Sequence, residues 1–325
     1  MNLASVSHVF YAFSRVRPDG TVYLHDEYAD AQIEVDGTKG CLNALVLQKR
    51  THPELKILLS IGGGGEGSIP FAAVASNQAT RQVFANTSKA LVDTYKLDGI
   101  DIDWEHPSDP RQGANYVQLL TALRVSLPSP QYLLTTALPA GEWALRNIDI
   151  GLASNMLDYI NVMAYDFSGP WTSTAGHHSQ LYTPKSPHSD AATISCHSAV
   201  GYMTSKGVPS RKLLLGIPAY GRSFLGAKKV GERFTGQGGE EGVFEYRELP
   251  RPGSKEHVDT KIGAAYCIGG DGGFVTYDTP DTVHLKAGFA KQNNLGGLFF
   301  WTGTGDAQGP RSLVETAYKS LHGTL

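Results

Sequence analysis

The chain has only three cysteines among its 325 residues, and their spacing excludes several common kinds of site. Cys41, Cys196 and Cys267 lie far apart, so they form no C-x-x-C pair of the kind that binds zinc or exchanges disulfides. Their odd number permits at most one disulfide within the chain. We therefore interpret all three as small core residues.

Large net charge, long apolar runs and an export signal are also lacking. The formal net charge of −3 gives no electrostatic reason to expect nucleic acid or an anionic membrane as a partner. No apolar run is long enough to span a bilayer. Met1-Asn2-Leu3-Ala4 shows no basic segment followed by an apolar one, so a signal peptide is not predicted.

Instead, the chain has short apolar runs that alternate with segments of helical spacing. This alternation is typical of a parallel sheet covered by helices on both faces. No G-x-G-x-x-G follows the first run, and polar or aromatic residues follow nearly every run, which favours a (β/α)8 barrel over a doubly wound sheet. The predicted strands are 9–13, 57–61, 98–105, 132–137, 159–165, 213–217 and 297–301.

Seven such strands are one fewer than a closed barrel needs. We therefore expect an α/β fold, a TIM (β/α)8-type barrel that lacks the usual first strand; either the chain is shortened before His8 or the barrel closes in another way. Gly-rich turns around short β-like pieces predict a small α+β insertion domain at 225–285, between the last two strands. The barrel then comprises 1–224 and 286–325.

One predicted strand carries three acids on the same face. Acidic and apolar residues alternate over 100–105, so Asp101, Asp103 and Glu105 project to one side of the strand. Neighbouring carboxylates repel each other and are costly to bury, which favours a catalytic use. A solvated edge strand and a cation site are the structural alternatives. Asp98 has the opposite parity and is equally well explained as a strand-start residue.

The stretch Asp98-Gly99-Ile100-Asp101-Ile102-Asp103-Trp104-Glu105 resembles the D-G-x-D-x-D-x-E signature of glycoside hydrolase family 18, the chitinases. Four further segments resemble motifs of this family in the family's order, and together they span nearly the whole chain. Within this family, the motifs most resemble those of microbial, fungal-type chitinases. These segments are Ser60-Ile61-Gly62-Gly63, Met163-Ala164-Tyr165-Asp166, Gly216-Ile217-Pro218-Ala219-Tyr220-Gly221-Arg222-Ser223-Phe224 and Gly296-Gly297-Leu298-Phe299-Phe300-Trp301.

The resemblance implies hydrolysis of β-1,4 linkages between N-acetylglucosamine units, with retention and through an oxazolinium ion that the substrate's own acetamide forms. Glu105 would protonate the glycosidic oxygen, as its place at the strand end also suggests. Asp103 would orient the acetamide and stabilise the positive charge. Asp101 would share a proton with Asp103. Tyr165 would donate its O–H to the acetamide oxygen.

Further residues are predicted to bind the sugar. All four tryptophans fall at or just after predicted strand ends, where flat aromatic faces can stack on sugar rings. Trp104 has the opposite parity from the acids and is the first candidate for packing instead. Arg222 has the alternative role of a structural ion-pair partner for an acid on the insertion. The full set is Met163, Asp166, Tyr220, Arg222, Trp104, Trp143, Trp171 and Trp301.

Neither a cofactor nor a metal is expected, because His177-His178 has no evident third ligand. The expected partners are chitin and chitooligosaccharides, with no nucleic acid and no membrane, and the expected state is a monomer. The family is mostly secreted, yet no export signal is seen, so the compartment stays open.

Two departures from the family pattern bear on activity. Gly64-Gly65-Glu66-Gly67 follows the S-x-G-G segment where the family often has tryptophan, and the missing first strand usually supplies a buried aromatic. Two alternatives remain: a chitin-binding lectin and an endo-β-N-acetylglucosaminidase. Inactive relatives typically lose an acid that this chain retains, and the insertion argues against the second alternative.

Overall fold

The structure is a computed structural model that describes residues 2–323. The chain divides into two compact units. The N-terminal unit comprises Val6–Ile160 with Lys206–Val208. The C-terminal unit comprises Asn161–Ser205 and the residues from Pro209 onward, with the few residues before Val6.

The N-terminal unit is built on a sheet in the order β7-β6-β5-β1-β2. The pairs β1–β5, β5–β6 and β6–β7 are parallel, and β2 is an antiparallel edge strand. The strands are β1 (His8–Val16), β2 (Val22–Leu24), β3 (Glu34–Val35), β4 (Thr38–Lys39), β5 (Lys56–Gly62), β6 (Gly99–Asp103) and β7 (Leu133–Pro139), and β3 and β4 form a separate hairpin.

Helices cover this sheet because their apolar stripes need a surface to bury against. Asn77 caps the start of α3 by accepting the Ala79 N–H, and Asp109 caps α4, where Pro110 occupies the first helical turn. The helices are α1 (Cys41–Leu47), α2 (Phe71–Ser76), α3 (Gln78–Tyr95), α4 (Pro110–Ser126), α5 (Glu142–Leu145) and α6 (Ile150–Ser154).

Strand β8 (Tyr159–Met163) spans the division between the units. In the C-terminal unit β9 (Leu213–Pro218) pairs in parallel with β15 (Gly297–Trp301). A second, antiparallel sheet has the order β11-β10-β14-β13-β12. Its strands are β10 (Tyr220–Phe224), β11 (Val243–Glu245), β12 (Ser254–Asp259), β13 (Ala264–Gly269) and β14 (Phe274–Tyr277).

Three helices belong to the C-terminal unit: α7 (Cys196–Ser205), α8 (Pro280–Gln292) and α9 (Leu313–His322). Its core includes Ile217, Tyr246, Val275 and Leu313, which lie between the antiparallel sheet and the helices. All seven apolar runs predicted from the sequence form strands. The antiparallel sheet begins at Tyr220, a few residues before the predicted insertion boundary of 225.

The cysteines are reduced in this structure. Cys196 and Cys267 are buried and Cys41 is half-buried, as small packing residues would be. Across residues 2–323, no helix combines the length and apolar character that crossing a bilayer requires.

Candidate active site

Strand β6 lies between β5 and β7, and this register surrounds its first acid with hydroxyl groups. Asp101 is opposite Ser60 on one side and Thr135 on the other. Ser60 Oγ donates to Asp101 Oδ2 at 2.7 Å, and Thr135 Oγ1 donates to Oδ1 at 2.6 Å. The carboxyl group is buried, with an exposed fraction of 3%. Two hydroxyl donors stabilise the charged form of such a carboxylate.

Asp103 has a different environment. It is also buried, but its Oδ1 has no hydrogen-bond partner among the residues that the structure describes. Burial, followed by the charges of Glu105 and Asp101, raises the pKa of Asp103 well above its ordinary value, and Arg15 opposes this only in part. A buried carboxyl group with a raised pKa, two positions from one that accepts two hydroxyl hydrogen bonds, supports the prediction that Asp101 and Asp103 share a proton.

Glu105 lies just beyond the end of β6 and is half-buried. Its backbone N–H donates to Ser68 Oγ at 2.7 Å. A Cβ atom on Gly64 would lie 3.4 Å from Glu105 Oε1, so a side chain at this position would contact the carboxyl group. A tryptophan at this position, which the family often has, would contact the Glu105 carboxyl group.

The other face of the acidic strand is structural. Ile100, Ile102 and Trp104 are buried, and the Trp104 ring stacks on Phe71 with ring centroids 5.6 Å apart. Tyr116 packs against the same indole edge-on. With 3% of its surface exposed, Trp104 fits the packing alternative rather than a contact with substrate.

Asp98 lies at the start of β6, at the opposite end from Glu105. Its Oδ2 accepts the backbone N–H of Ile57 at 2.7 Å and forms an ion pair with Lys49. These contacts hold the start of β6 against β5, as expected for the alternative of a strand-start residue. Asp98 is not part of the acidic face.

In the C-terminal unit, the turn after β8 presents a second polar cluster, centred on Asp166. The backbone of Asp166 is in the left-handed region, with φ of 60°, a conformation that aspartate tolerates better than most residues. Arg222 donates to its two oxygens from Nε and Nη2, each at 2.8 Å. Tyr220 Oη adds a third hydrogen bond at 2.9 Å. This bidentate pair holds the carboxylate in one orientation.

The charges of this cluster follow from its contacts. Burial alone would raise the pKa of Asp166, but the nearby His178 ring and the two hydrogen bonds and charge of Arg222 outweigh burial and hold the pKa well below its ordinary value. Burial, together with the Asp166 charge, raises the pKa of Tyr220 well above its ordinary value. These shifts favour the anionic form of Asp166 and the neutral, hydrogen-bond-donating form of Tyr220.

Aromatic side chains extend this cluster. The Arg222 guanidinium lies 4.9 Å from the ring centroid of Trp171, whose indole is 59% exposed. Tyr165 packs edge-on against Tyr220, with centroids 6.1 Å apart. Exposed aromatic faces of this kind are suited to stacking on sugar rings.

The remaining predicted binders lie at strand ends or just after one. Met163 ends β8 and Trp301 ends β15, both half-buried. Trp143, in α5 of the N-terminal unit, is 61% exposed and packs edge-on against His106. Its exposure is compatible with the predicted contact with substrate.

Several residues of these clusters were missed by sequence reasoning. His178 is fully buried, and its Nδ1 lies 3.5 Å from Asp166 Oδ1. The sequence signal was the His177-His178 pair, considered only as a metal motif; over residues 2–323, no group of side chains suited to holding a metal ion is found. Thr135 and Ser68 carried no signal, because their contacts depend on the register of distant strands.

Comparison with known proteins agrees with this arrangement. The family model of glycosyl hydrolases family 18 matches residues 1–306. The chain belongs to this family. Chitinase 1 of Aphanocladium album is 34% identical to this family 18 chain over 340 residues, covering 98% of the chain and 80% of the relative.

Two solved structures of family 18 chitinases are similar over nearly the whole chain. Ostrinia furnacalis Group IV chitinase in complex with allosamidin has a TM-score of 0.90 at 27% identity, covering 99% of this chain and 92% of that one. The family 18 chitinase of Cycas revoluta in complex with (GlcNAc)3 has a TM-score of 0.85 at 29% identity, covering 98% and 94%. The predicted TIM-barrel-type α/β fold is thus confirmed at this level.

Proposed function

We propose that this family 18 protein is a chitinase that hydrolyses β-1,4 linkages between N-acetylglucosamine units with retention of configuration. The observation that carries the proposal is the row Asp101, Asp103 and Glu105, in which the middle acid has a raised pKa. Curated relatives over 98% of the chain are named chitinase and endochitinase, which does not favour the lectin or endo-β-N-acetylglucosaminidase alternatives.

In the proposed first step, the Glu105 carboxylic acid gives its proton to the glycosidic oxygen while the bond from that oxygen to C1 breaks. The carbonyl oxygen of the substrate's acetamide attacks C1 and forms the oxazolinium ion. Asp103, as the carboxylate that remains once the shared proton lies on Asp101, accepts a hydrogen bond from the acetamide N–H and balances the positive charge. In the second step, the Glu105 carboxylate takes a proton from water as the water oxygen attacks C1 and the bond from C1 to the acetamide oxygen breaks. This restores the acetamide and regenerates the acid.

The cluster around Asp166 is proposed to bind the sugar. Asp166 and Tyr220 offer hydrogen-bonding groups that keep one charge state, and Trp171 offers a stacking face. We assign the same role to Arg222, Met163, Trp301 and Trp143, and we propose that Tyr165 donates to the acetamide oxygen. Chitooligosaccharides are the expected ligands, and the monomeric state stays a prediction.

Two finer predictions about the fold accompany this proposal. The absence of the family's usual first strand and the α+β insertion at 225–285 both remain predictions. The antiparallel sheet formed by β10–β14 supports the insertion, since its strands interrupt the succession from β9 to β15.

The decisive variant is Glu105→Gln, which keeps the size of the side chain but removes the acid. We expect kcat on a chromogenic chitobioside to fall by about 10²–10⁴-fold, the usual contribution of a general acid. Glu54→Gln, an exposed change before β5, should leave kcat unchanged. Unchanged activity in Glu105→Gln would show that the acid is another residue.

The stereochemistry tests the mechanism separately. Proton NMR of wild-type digests of a chitin oligosaccharide should show the β-anomer first, because two inversions at C1 restore the configuration. An α-anomer as the first product would exclude participation by the acetamide.

A further inference from the structure

The loop that connects β5 to α2, residues 63–70, contacts Asp103 at the end of β6 and Glu105 just beyond it, through its backbone and one hydroxyl group. The ladder between β5 and β6 ends at the pair Gly62 and Asp103. Beyond this pair, the Gly63 N–H still donates to the Asp103 carbonyl at 2.9 Å. At Glu105, the Ser68 hydroxyl takes the place of the neighbouring strand by accepting the backbone N–H at 2.7 Å.

Ser68 makes this contact from a buried position, with 7% of its surface exposed. A hydroxyl group has one proton to donate and can also accept. Ser68 Oγ donates to the Gly63 carbonyl at 2.9 Å, with the Asp103 carbonyl further away at 3.4 Å. One side chain therefore links the start of the loop, the end of the acidic strand and the backbone of Glu105.

The same short segment also holds the residue between the two acids. The Phe71 N–H donates to the Ser68 carbonyl at 3.2 Å, and the Phe71 ring stacks on Trp104. Trp104 is thus packed against Phe71 while the next backbone N–H, that of Glu105, is bound by Ser68. These two contacts define where the chain leaves β6, and so where the Glu105 side chain begins.

We infer that Ser68 is a positioning residue for the general acid, whose hydroxyl group sets the place of the Glu105 carboxyl group relative to Asp103. The inference rests on the proposed chitinase function. Without the hydroxyl, the Glu105 N–H loses its acceptor and the backbone after β6 can shift. A misplaced general acid lowers the rate most for substrates whose leaving group must be protonated as it departs.

The test compares two substrates whose leaving groups differ in basicity. For Ser68→Ala we expect kcat on chitotetraose to fall by about 10²-fold, the effect of a misplacement near 1 Å. On dinitrophenyl chitobioside, whose leaving group departs without a proton, kcat/KM, which reports the step that releases the leaving group, should fall by less than about fivefold. For chitotetraose, KM should change by less than about twofold, since the acid acts mainly in the transition state.

Two further variants separate positioning from general stability. Ser68→Thr retains the hydroxyl and should recover most of the activity on chitotetraose. Ser76→Ala, in α2, removes a hydroxyl that donates to the Ala73 carbonyl of its own helix and should leave the activity on both substrates unchanged. If Ser68→Ala does not fold, Ser68→Cys offers a weakly accepting group of similar size, and the same selective loss is expected.

An equal loss on both substrates would overturn the inference, because it would mean that Ser68 only stabilises the loop. A wild-type protein that hydrolyses neither substrate would instead contradict the chitinase proposal itself. Hydrolysis by the wild type with a selective loss in Ser68→Ala supports both.

Discussion

At the scale of single residues, the carboxylic acids of the row Asp101, Asp103 and Glu105 acquire different properties because different groups surround each of them. Asp101 accepts two hydroxyl hydrogen bonds, while Asp103 has a raised pKa and an Oδ1 that finds no hydrogen-bond partner within residues 2–323. Burying Asp103 as a carboxylate is therefore costly, and the fold tolerates this cost at a functional position.

Asp103→Asn should stabilise the protein in a pH-dependent way while it lowers activity. The folded protein holds a proton on Asp103 that the unfolded chain has released, so wild-type stability falls as the pH rises from the ordinary aspartate pKa to the raised one. Within that window the advantage of the variant should grow by about 1.4 kcal/mol per pH unit. Urea unfolding at several pH values measures this, with Glu54→Gln as the control. A stability difference independent of pH would contradict the prediction.

Two exposed tryptophans each lie over a glycine two positions earlier. A Cβ on Gly141 would lie 2.3 Å from Trp143 Nε1, and one on Gly169 would lie 2.4 Å from the Trp171 ring. Gly141 has φ of −81°, which alanine also adopts, so the strain of an added methyl group falls on the indole. Because neither glycine has a side chain, each leaves room for the indole two positions later.

Gly141→Ala should therefore displace Trp143 without unfolding the chain. If Trp143 stacks on substrate, KM for chitotetraose should rise by about 2- to 10-fold, the equivalent of 0.5–1.5 kcal/mol of aromatic contact, with kcat nearly unchanged. Gly201→Ala, where an added Cβ meets nothing within 4 Å, is the control. Steady-state kinetics on chitotetraose decide, and an unchanged KM would remove Trp143 from the binding residues.

At the scale of elements, parallel strands set which side chains meet, and a buried ion pair anchors one helix. Lys286 of α8 is fully buried, and its Nζ lies 2.7 Å from Asp278 Oδ2. Asp278 also accepts hydrogen bonds from Ser179 at 2.8 Å and Thr282 at 2.6 Å. Asp278 therefore connects the start of α8 to the segment that follows β8.

Lys286→Met should lower the free energy of unfolding by about 3–5 kcal/mol, because it leaves the Asp278 charge buried without its partner. Lys291→Met lies on the same helix at an exposed position and should cost no more than about 0.5 kcal/mol. Adding Asp278→Asn to Lys286→Met should recover part of the loss. If denaturant unfolding showed that both lysine substitutions lower the free energy of unfolding equally, the buried ion pair would contribute no more than an exposed lysine.

At the scale of the whole molecule, binding of a chitooligosaccharide should stabilise the folded chain. Glu105→Gln should bind chitotetraose without cleaving it, and at a ligand concentration of 100 times Kd the gain is about 2.7 kcal/mol. Thermal unfolding should show a Tm that rises with ligand concentration. Cellotetraose, which lacks the acetamide groups, should give a much smaller rise. The same rise with both sugars would argue against recognition of N-acetylglucosamine.

Much of the site was predictable because its signals are local. The alternation at 100–105 depends only on the two-residue period of a strand, and the buried opposite parity of Trp104 follows from the same rule. Asp166 and Arg222 were named as binders, but their direct bidentate pair was not foreseen; the ion-pair alternative had placed the acid on the insertion.

By itself, the sequence determined the strands, the acidic row and the family, since these depend on short-range periodicity and motifs. Only the tertiary structure decided what surrounds each acid. Ser60 lies 41 residues from Asp101, Thr135 lies 34 away, and Ser68 lies 37 from Glu105. Strand register and loop path bring these hydroxyl groups to the carboxylates and the backbone between them. Their hydrogen bonds, together with burial, give each acid a different electrostatic environment.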